Sequence, residues 1–515
     1  MTIITSPLPD VAIPNISITQ RIAEGIDPDA PLLIDGPSGR VVTGRAFLDA
    51  VRSLAGGLRA RGFGPGKVLA LLAPNCPEFC IVFHAAAWAG GTVTTINPTY
   101  TPHEVRHQLR DAGADRLVTV PMFLETARAA AAGTGVGEIA VIGGAGGAAP
   151  LSDWMGPPLA EQVPVDFAEH TVCLPYSSGT TGLPKGVMLT HRNLVANTNQ
   201  TLAMATINPG EHSVAFLPFF HIYGLQVLMN TAIAAGGRLV TMPRFDLEQF
   251  LTLVERYRTP RLFVVPPVAI ALAKHPMVER FDLSFVRQVN SGAAPLGGDV
   301  TDALARRIGT AATQGFGMTE LSPVSHTSNP ATARPGASGQ TVPNTEARIV
   351  DPETFQDLPP GQDGELWIRG PQVMKGYLNN PEATAATIMP DGWLRTGDVA
   401  HFDADGFLYV TDRLKELIKV KGFQVAPAEL EALLLTHPDI SDAAVIGVPD
   451  DDAGEVPMAF ITAASPPSLE EMQDFLAPQV AHYKQIRHLE VLDQIPKSAS
   501  GKILRRLLRD KVRQG

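Results

Sequence analysis

Tyr176-Ser177-Ser178-Gly179-Thr180-Thr181-Gly182-Leu183-Pro184-Lys185-Gly186 is the stretch that decides the reading of this chain. It follows a short apolar run, Val172-Cys173-Leu174, and precedes a helix-like stretch that opens near Thr190. Its Ser and Thr hydroxyls and mobile glycine amides suit folding around phosphate oxygens, and Lys185 adds a compensating charge. It is not a Walker loop, because no Gly-Lys-Ser/Thr follows Gly179 or Gly182 at the required spacing. A polar turn with incidental glycines would account for Ser-Gly-Thr alone, but not for the whole segment.

Upstream of this loop the chain alternates in the manner of βα units. Val68 to Leu72 reads as a strand, Pro77 to Ala89 as a helix closed by Gly90-Gly91, and Thr92 to Ile96 as the next strand. His103 to Ala112 then reads as a helix and Arg116 to Val120 as a strand, which predicts a largely parallel, doubly wound sheet. The same grammar recurs downstream, with strand-like runs at Ser213 to Leu217, Arg238 to Met242 and Leu262 to Val265. A different texture of shorter strands and Gly/Asp turns begins near Asp351 (Glu365 to Arg369, Phe407 to Val410). After Asp412 comes a compact segment with its own alternation and a basic tail.

The Ala/Gly-rich stretch before the loop holds a formal dinucleotide fingerprint, Gly144-Ala145-Gly146-Gly147-Ala148-Ala149. That fingerprint needs a helix opening at its last glycine, so that amides face a pyrophosphate. Pro150 and the turn-like residues after it deny it that helix, so a surface loop is expected.

Composition bounds the function. The 515 residues carry a net charge of −11, with 45% hydrophobic and 18% charged residues, so the chain can build large cores. The acidic balance argues against general binding to nucleic acid or anionic membranes. Cys76, Cys80 and Cys173 form neither a disulfide framework nor a zinc pattern, and read as small buried hydrophobes. No apolar stretch reaches the roughly 18 residues of a membrane span. MTIITSPLPD lacks the pattern of a signal peptide, and the final residues are not a peroxisomal address. A cytoplasmic location is the expectation; oligomeric state is not legible.

The phosphate loop is one of several motifs that occur in order along the chain. The others are Pro218-Phe219-Phe220-His221-Ile222-Tyr223-Gly224, Ser291-Gly292-Ala293-Ala294-Pro295 and Gln314-Gly315-Phe316-Gly317-Met318-Thr319-Glu320. Thr396-Gly397-Asp398, Asp412-Arg413-Leu414-Lys415-Glu416-Leu417-Ile418-Lys419, Lys421-Gly422-Phe423-Gln424-Val425-Ala426-Pro427 and Pro496-Lys497-Ser498-Ala499-Ser500-Gly501-Lys502 complete the set. With these, essentially the whole chain resembles the adenylate-forming acyl-CoA synthetases. Within them it is most similar to 4-coumarate:CoA ligases and their bacterial relatives. The resemblance implies an α/β fold: a large N-terminal adenylating domain (residues 1–411) of doubly wound sheets with a β-barrel-like subdomain, and a small mobile α+β domain (412–515).

It also implies a two-step reaction. A carboxylate attacks the α-phosphorus of ATP to give acyl-AMP and pyrophosphate, and the thiol of coenzyme A then displaces AMP. On this pattern Ser177, Ser178, Gly179, Thr180, Thr181 and Lys185 hold phosphates, and Gln314, Gly315 and Thr319 lie beside the nucleotide. Glu320 binds Mg²⁺, while Asp398 and Arg413 hold the ribose. Lys502 bridges carboxylate and α-phosphate, so its removal should slow adenylation by roughly 10²-fold or more. The small domain pivots near Lys415, exchanging Lys502 for Lys419, Lys421, Gly422 and Gln424 in the thiol step. Arg244 matches a position near the CoA phosphates, and His221 one at the meeting of acyl pocket and thiol tunnel.

Ile222, Tyr223, Gln226, Asn290, Gly292, Ala293, Gly315, Pro323 and Val324 are the expected acyl pocket. Most are small or apolar, which suits a flat ring or an alkyl chain. Gln226 and Asn290 stand where plant coumarate ligases carry Asn and Lys, so neither supplies a charge to a phenolic acid. The leading expectation is an aryl-propenoic acid:CoA ligase. A medium- or long-chain fatty acyl-CoA ligase, and an acyl-AMP ligase serving a carrier protein, are the alternatives.

Overall fold

The computed structural model describes residues 3–144, 146–177, 184–205, 207–421, 423–450, 452–498 and 501–514. Its first sheet is built around Val68–Leu72, which lies parallel to Thr92–Thr95 on one side and Ala114–Thr119 on the other. Parallel pairing continues to Glu138–Val141 and Ala149–Pro150 at one edge, and to Thr171–Cys173 toward the other. Beyond Thr171–Cys173 the sheet turns antiparallel through Lys185–Thr190, Tyr176–Ser177 and Gly376–Tyr377. The parallel centre is covered on both faces, which is why Val68–Leu72 is apolar without alternation.

Local chemistry sets the crossover helices. Pro102–Asp111 opens with proline in its first turn behind a Thr101/Glu104 capping box. Pro77–Trp88 also begins with proline, and it is apolar all round because almost all of it is buried. Phe79 and Phe83 are fully buried there, each contributing roughly 1.5–3 kcal/mol relative to exposure. Gly90, at φ +79°, ends the helix; a Cβ on Gly91 would lie 2.2 Å from the Phe63 ring.

His212–Ala215, Arg238–Thr241 and Pro31–Asp35 form a second parallel set, edged by antiparallel Val41–Thr43. In a third sheet Arg261–Val264, Gln288–Ser291 and Ala311–Gly317 run parallel, followed by antiparallel Val324–Thr327 and Gln340–Thr341. The carboxyl ends of its parallel strands deliver Gly292 and Gly315–Gly317 to one crevice, the usual place for a ligand in such sheets.

The change of texture expected near Asp351 begins earlier. The fourth sheet is antiparallel and orders Ile4–Thr5, Glu346–Val350, Gly364–Arg369, Leu394–Phe402 and Leu408–Arg413. Ile4 pairs with Ala347, a contact between distant parts of the chain that a two-residue strand does not signal in sequence. The dinucleotide-like glycines lead to Ala149–Pro150 and the 3₁₀ turn Leu151–Trp154, with no helix among the described residues, as the loop reading requires.

The fifth sheet joins Phe423–Val425, Ile418–Val420, Gly454–Ala463, Ile440–Asp450 and His488–Val491. Its strand period of two feeds two cores. Ala443 and Val445 pack with Leu430, Leu434, Met472 and Leu476 on one face. Ala444, Ile446 and Val448 pack with Ile495 and Leu508 on the other.

Candidate active site

The phosphate-loop segment closes a hairpin: Tyr176 lies opposite Gly186, and Ser177 opposite Lys185. Ser178, Gly179, Thr180 and Thr181 lie outside the described residues. Tyr176 anchors the hairpin by donating its hydroxyl to Asp111 Oδ2 at 2.7 Å. On the other arm, the Lys185 ammonium sits 4.7 Å from the centre of the Tyr377 ring. The Tyr377 hydroxyl in turn donates to Glu320 Oε1 at 2.8 Å.

Glu320 and Thr319 are buried in a 3₁₀ turn, Thr319–Leu321, that continues the strand Ala311–Gly317. Asp398, also buried, pairs across the antiparallel ladder with Arg413. Arg413 Nε donates to Asp398 Oδ1 at 3.1 Å, while Asp398 Oδ2 has no hydrogen-bond partner among the described residues. Burial pushes the Asp398 carboxyl up, and Arg413 and Lys502 pull it back. An unpartnered buried carboxylate oxygen calls for a donor, and a ribose hydroxyl is one.

Lys502 is presented by a tight turn. Gly501 N–H donates to Ser498 O at 2.8 Å, and Ser498 N–H donates to Lys502 O at 2.8 Å. Gly501, at φ +81°, is pressed to the large part of the molecule: a Cβ there would lie 3.2 Å from Val265. Burial lowers the Lys502 ammonium to about 8, helped by Arg413 and opposed by Asp398 and Glu320. His221 accepts the Tyr223 backbone N–H at Nδ1, at 3.3 Å. Burial, with Lys502 adding to it, holds His221 down at about 3, so it is neutral near pH 7.

Two cavities meet at this lysine. A cleft of about 670 Å³ runs past Tyr176, Gln314, Asp398, Arg413, Lys497, Lys502, Arg505 and Arg509. A smaller cavity of about 70 Å³ is lined by His221, Ile222, Tyr223, Asn290, Gly292, Thr319, Pro323 and Val324. Ala293, Gly315, Phe316, Gly317 and Lys502 border both.

Gln226 is a correction to the expected acyl pocket: it lines neither cavity. Its amide donates to Leu194 O and Thr198 Oγ1 at 2.7 and 2.9 Å, and accepts from Asn230 at 2.8 Å. Tyr223 and Val227, four residues apart on the π-helix Tyr223–Thr231, face the cavity, while Gln226 is turned against the helix His191–Met204. Val227, Thr201, Ala205, Phe263 and Thr327 line the cavity without any motif to announce them. Gln314 borders the cleft, but its amide is committed at both ends to the Leu296 backbone, at 2.8 Å each, so it braces the loop beside the cleft.

The residues expected for the thiol step are elsewhere. Lys415 is exposed in the turn after Leu408–Arg413, and Lys419, Lys421 and Gln424 are exposed on the hairpin beyond it. None of the four lines either cavity, and Gly422 lies outside the described residues. Arg244 is exposed in the bend after Arg238–Thr241 and borders neither cavity. Among the described residues no group of three His, Cys, Asp or Glu could hold a metal. A single carboxylate such as Glu320 suits Mg²⁺, which takes most of its ligands from phosphates and water.

The chain belongs to the AMP-binding enzyme family, whose model matches residues 22–378, with the family's C-terminal domain matching residues 429–502. It is 44% identical over 533 residues to a 4-coumarate–CoA ligase of Oryza sativa subsp. japonica, covering 100% of this chain and 96% of that one. Among solved structures, the anthranilate–CoA ligase AuaEII in complex with anthranoyl-AMP matches with a TM-score of 0.91 at 25% identity, covering 97% of this chain and 98% of that one. ATP-bound MatB from Rhodopseudomonas palustris matches with a TM-score of 0.88 at 29% identity, covering 96% and 99%; its apo form gives 0.79.

Proposed function

We propose that this chain is an ATP-dependent, AMP-forming carboxylic acid:CoA ligase whose preferred acid is an aryl-propenoic acid of the 4-coumarate type. The observation that carries it is the placement of the half-buried Lys502 ammonium where a nucleotide-sized cleft meets a small, mostly apolar cavity. An acid held in the small cavity directs its carboxylate toward an α-phosphate in the cleft, and the lysine faces both. In the first step a carboxylate oxygen bonds to the α-phosphorus as the bond to the β-phosphate breaks, releasing pyrophosphate. Lys502 offsets the charge that accumulates between two anions. Asp398 accepts from the ribose, while Ser177, Ser178, Thr180, Thr181 and Lys185 hold the outer phosphates. Glu320 would hold Mg²⁺, which when bound neutralises phosphate charge.

In the second step the CoA sulfur bonds to the acyl carbon as the bond to AMP oxygen breaks. Residues 412–515 act as a mobile domain that turns near Lys415, withdrawing Lys502 and bringing in Lys419, Lys421, Gly422 and Gln424. Two cores belonging to that segment support its moving as a body. The greater likeness to ATP-bound than to apo MatB fits the present arrangement to the adenylating state. Arg244 is free to meet the CoA phosphates. The acid specificity rests on the 4-coumarate–CoA ligase relatives and on a cavity whose Asn290 and Thr201 are polar groups in apolar walls. Three unpaired cysteines, and no helix among the described residues long and apolar enough to cross a membrane, agree with a cytoplasmic setting.

The test is thioester formation from ATP, Mg²⁺, CoA and a panel of acids. The highest kcat/KM is expected for a hydroxylated cinnamic acid; a maximum at octanoate or palmitate would overturn the specificity.

A further inference from the structure

Tyr377 carries none of the motifs, yet it touches two groups that the proposed function uses. It sits in a two-residue strand, Gly376–Tyr377, opposite Val187 on the strand Lys185–Thr190 that leaves the phosphate loop. Its phenol donates to Glu320 Oε1 at 2.8 Å, and its ring centre lies 4.7 Å from the Lys185 ammonium. Neighbouring backbone contacts fix the position. The Tyr377 backbone N–H donates to Thr384 Oγ1 at 2.9 Å, and Met374 N–H donates to the Glu320 carbonyl at 2.9 Å. The side chain itself is buried to 8% exposure.

We propose that Tyr377 is a positioning residue that aims the Glu320 carboxylate at Mg²⁺ and, through its ring face, holds Lys185 at the nucleotide phosphates. This rests on the reading of Glu320 and Lys185 given under the proposed function. The chemistry is direct. A carboxylate has two oxygens; the phenol occupies Oε1 and so sets the plane in which the other oxygen meets a metal. Mg²⁺ tolerates little departure from octahedral geometry, so that plane matters more to it than to a larger cation. Loss of an outer hydrogen-bond partner of a metal ligand typically costs about 10–100-fold in metal affinity. The ring contributes separately, because an ammonium over an aromatic face is held without a proton acceptor. One side chain thereby couples the metal and the phosphate cation.

The two contributions separate in equilibrium binding, without turnover. ATP is titrated calorimetrically into the full-length protein, without acid or CoA, once in excess Mg²⁺ and once in EDTA. Tyr377→Phe keeps the ring and loses the O–H. The gain in ATP affinity on adding Mg²⁺ should fall about tenfold from its wild-type value, while affinity in EDTA stays within twofold. Tyr377→Leu should show the same lost gain and, in addition, about threefold weaker binding in EDTA. Lys185→Met should weaken binding in EDTA and leave the Mg²⁺ gain. Thermal midpoints of the variants, read in parallel, exclude unfolding as the cause. A Tyr377→Phe protein with the full wild-type Mg²⁺ gain would overturn the proposal. A wild-type protein with no Mg²⁺ gain at all would instead overturn the assignment of Glu320.

Discussion

The C-terminal segment carries two basic surfaces in opposite circumstances. Lys502 is half-buried within electrostatic reach of Asp398, Glu320 and Arg413, and desolvation draws its ammonium down to about 8. Lys419 and Lys421 are exposed on a hairpin that lines neither cavity. Lys421 takes a left-handed φ of 48°, and the Lys419 N–H is tied to Glu455 within the same segment at 2.9 Å. Both surfaces belong to one body, with its core on either side of a single sheet. That segment meets the rest of the chain through contacts that include an exposed hydrogen bond from Lys274 Nζ to the Leu435 carbonyl, 2.9 Å. The difference is the one that the proposed function requires, in which the two half-reactions draw on the same segment by turns, each with its own cation in the site.

Three changes would break or sharpen this contrast. The largest effect is expected from Glu320→Gln, which leaves the lysines in place but removes the carboxylate that is proposed to hold Mg²⁺. Carboxylate-dependent pyrophosphate exchange should fall roughly 10²- to 10³-fold, while thioester formation from synthetic acyl-AMP keeps most of its rate.

Next comes pH. Lys502 is the charged acid form below its folded pKa and neutral above it, so adenylation is retained below about 8 and lost as pH rises through that value. The kcat/KM for ATP in pyrophosphate exchange should decline about tenfold per pH unit on that limb. The polyanion raises the lysine's pKa, so the limb in kcat should lie higher. His221, held at about 3, adds no limb there. A flat kcat/KM profile to pH 10 would remove Lys502 from the account.

The smallest effect tests docking alone. Lys274→Met removes one polar contact between the bodies and should slow adenylation about threefold, without slowing the thiol step. Equal slowing of both would mean that the contact does not distinguish the two arrangements.

Much of the architecture is legible in the sequence because strand, helix and turn signals agree there. Pro77 and Gly90 bracket a helix within a residue or two of where it forms, and the helix expected at His103 to Ala112 forms as Pro102–Asp111. The ordered motifs likewise bring Asp398, Arg413 and Lys502 into one cleft although their sequence positions are far apart, with Glu320, which lines neither cavity, near enough to act on Lys502 through its charge. What sequence left out depends on side-chain direction. Val227, four residues after Tyr223 and so on its face of the helix, lines the cavity wall where Gln226 was expected. Thr201 and Phe263 reach the cavity from separate elements, and Tyr377 meets Glu320 and Lys185 only through the pairing of a two-residue strand. Arg244, identified by position in a motif order, lies exposed in the present arrangement.

The most direct test of alternating cations is a crossed assay of Lys502→Ala and Lys419→Ala. Each variant is measured in both half-reactions: pyrophosphate exchange with acid and ATP, and thioester formation from synthetic acyl-AMP and CoA. Lys502→Ala should lose roughly 10²-fold or more in the first with little change in the second, and Lys419→Ala should show the reverse bias. Equal losses in both half-reactions for either lysine would contradict a segment that presents one surface at a time.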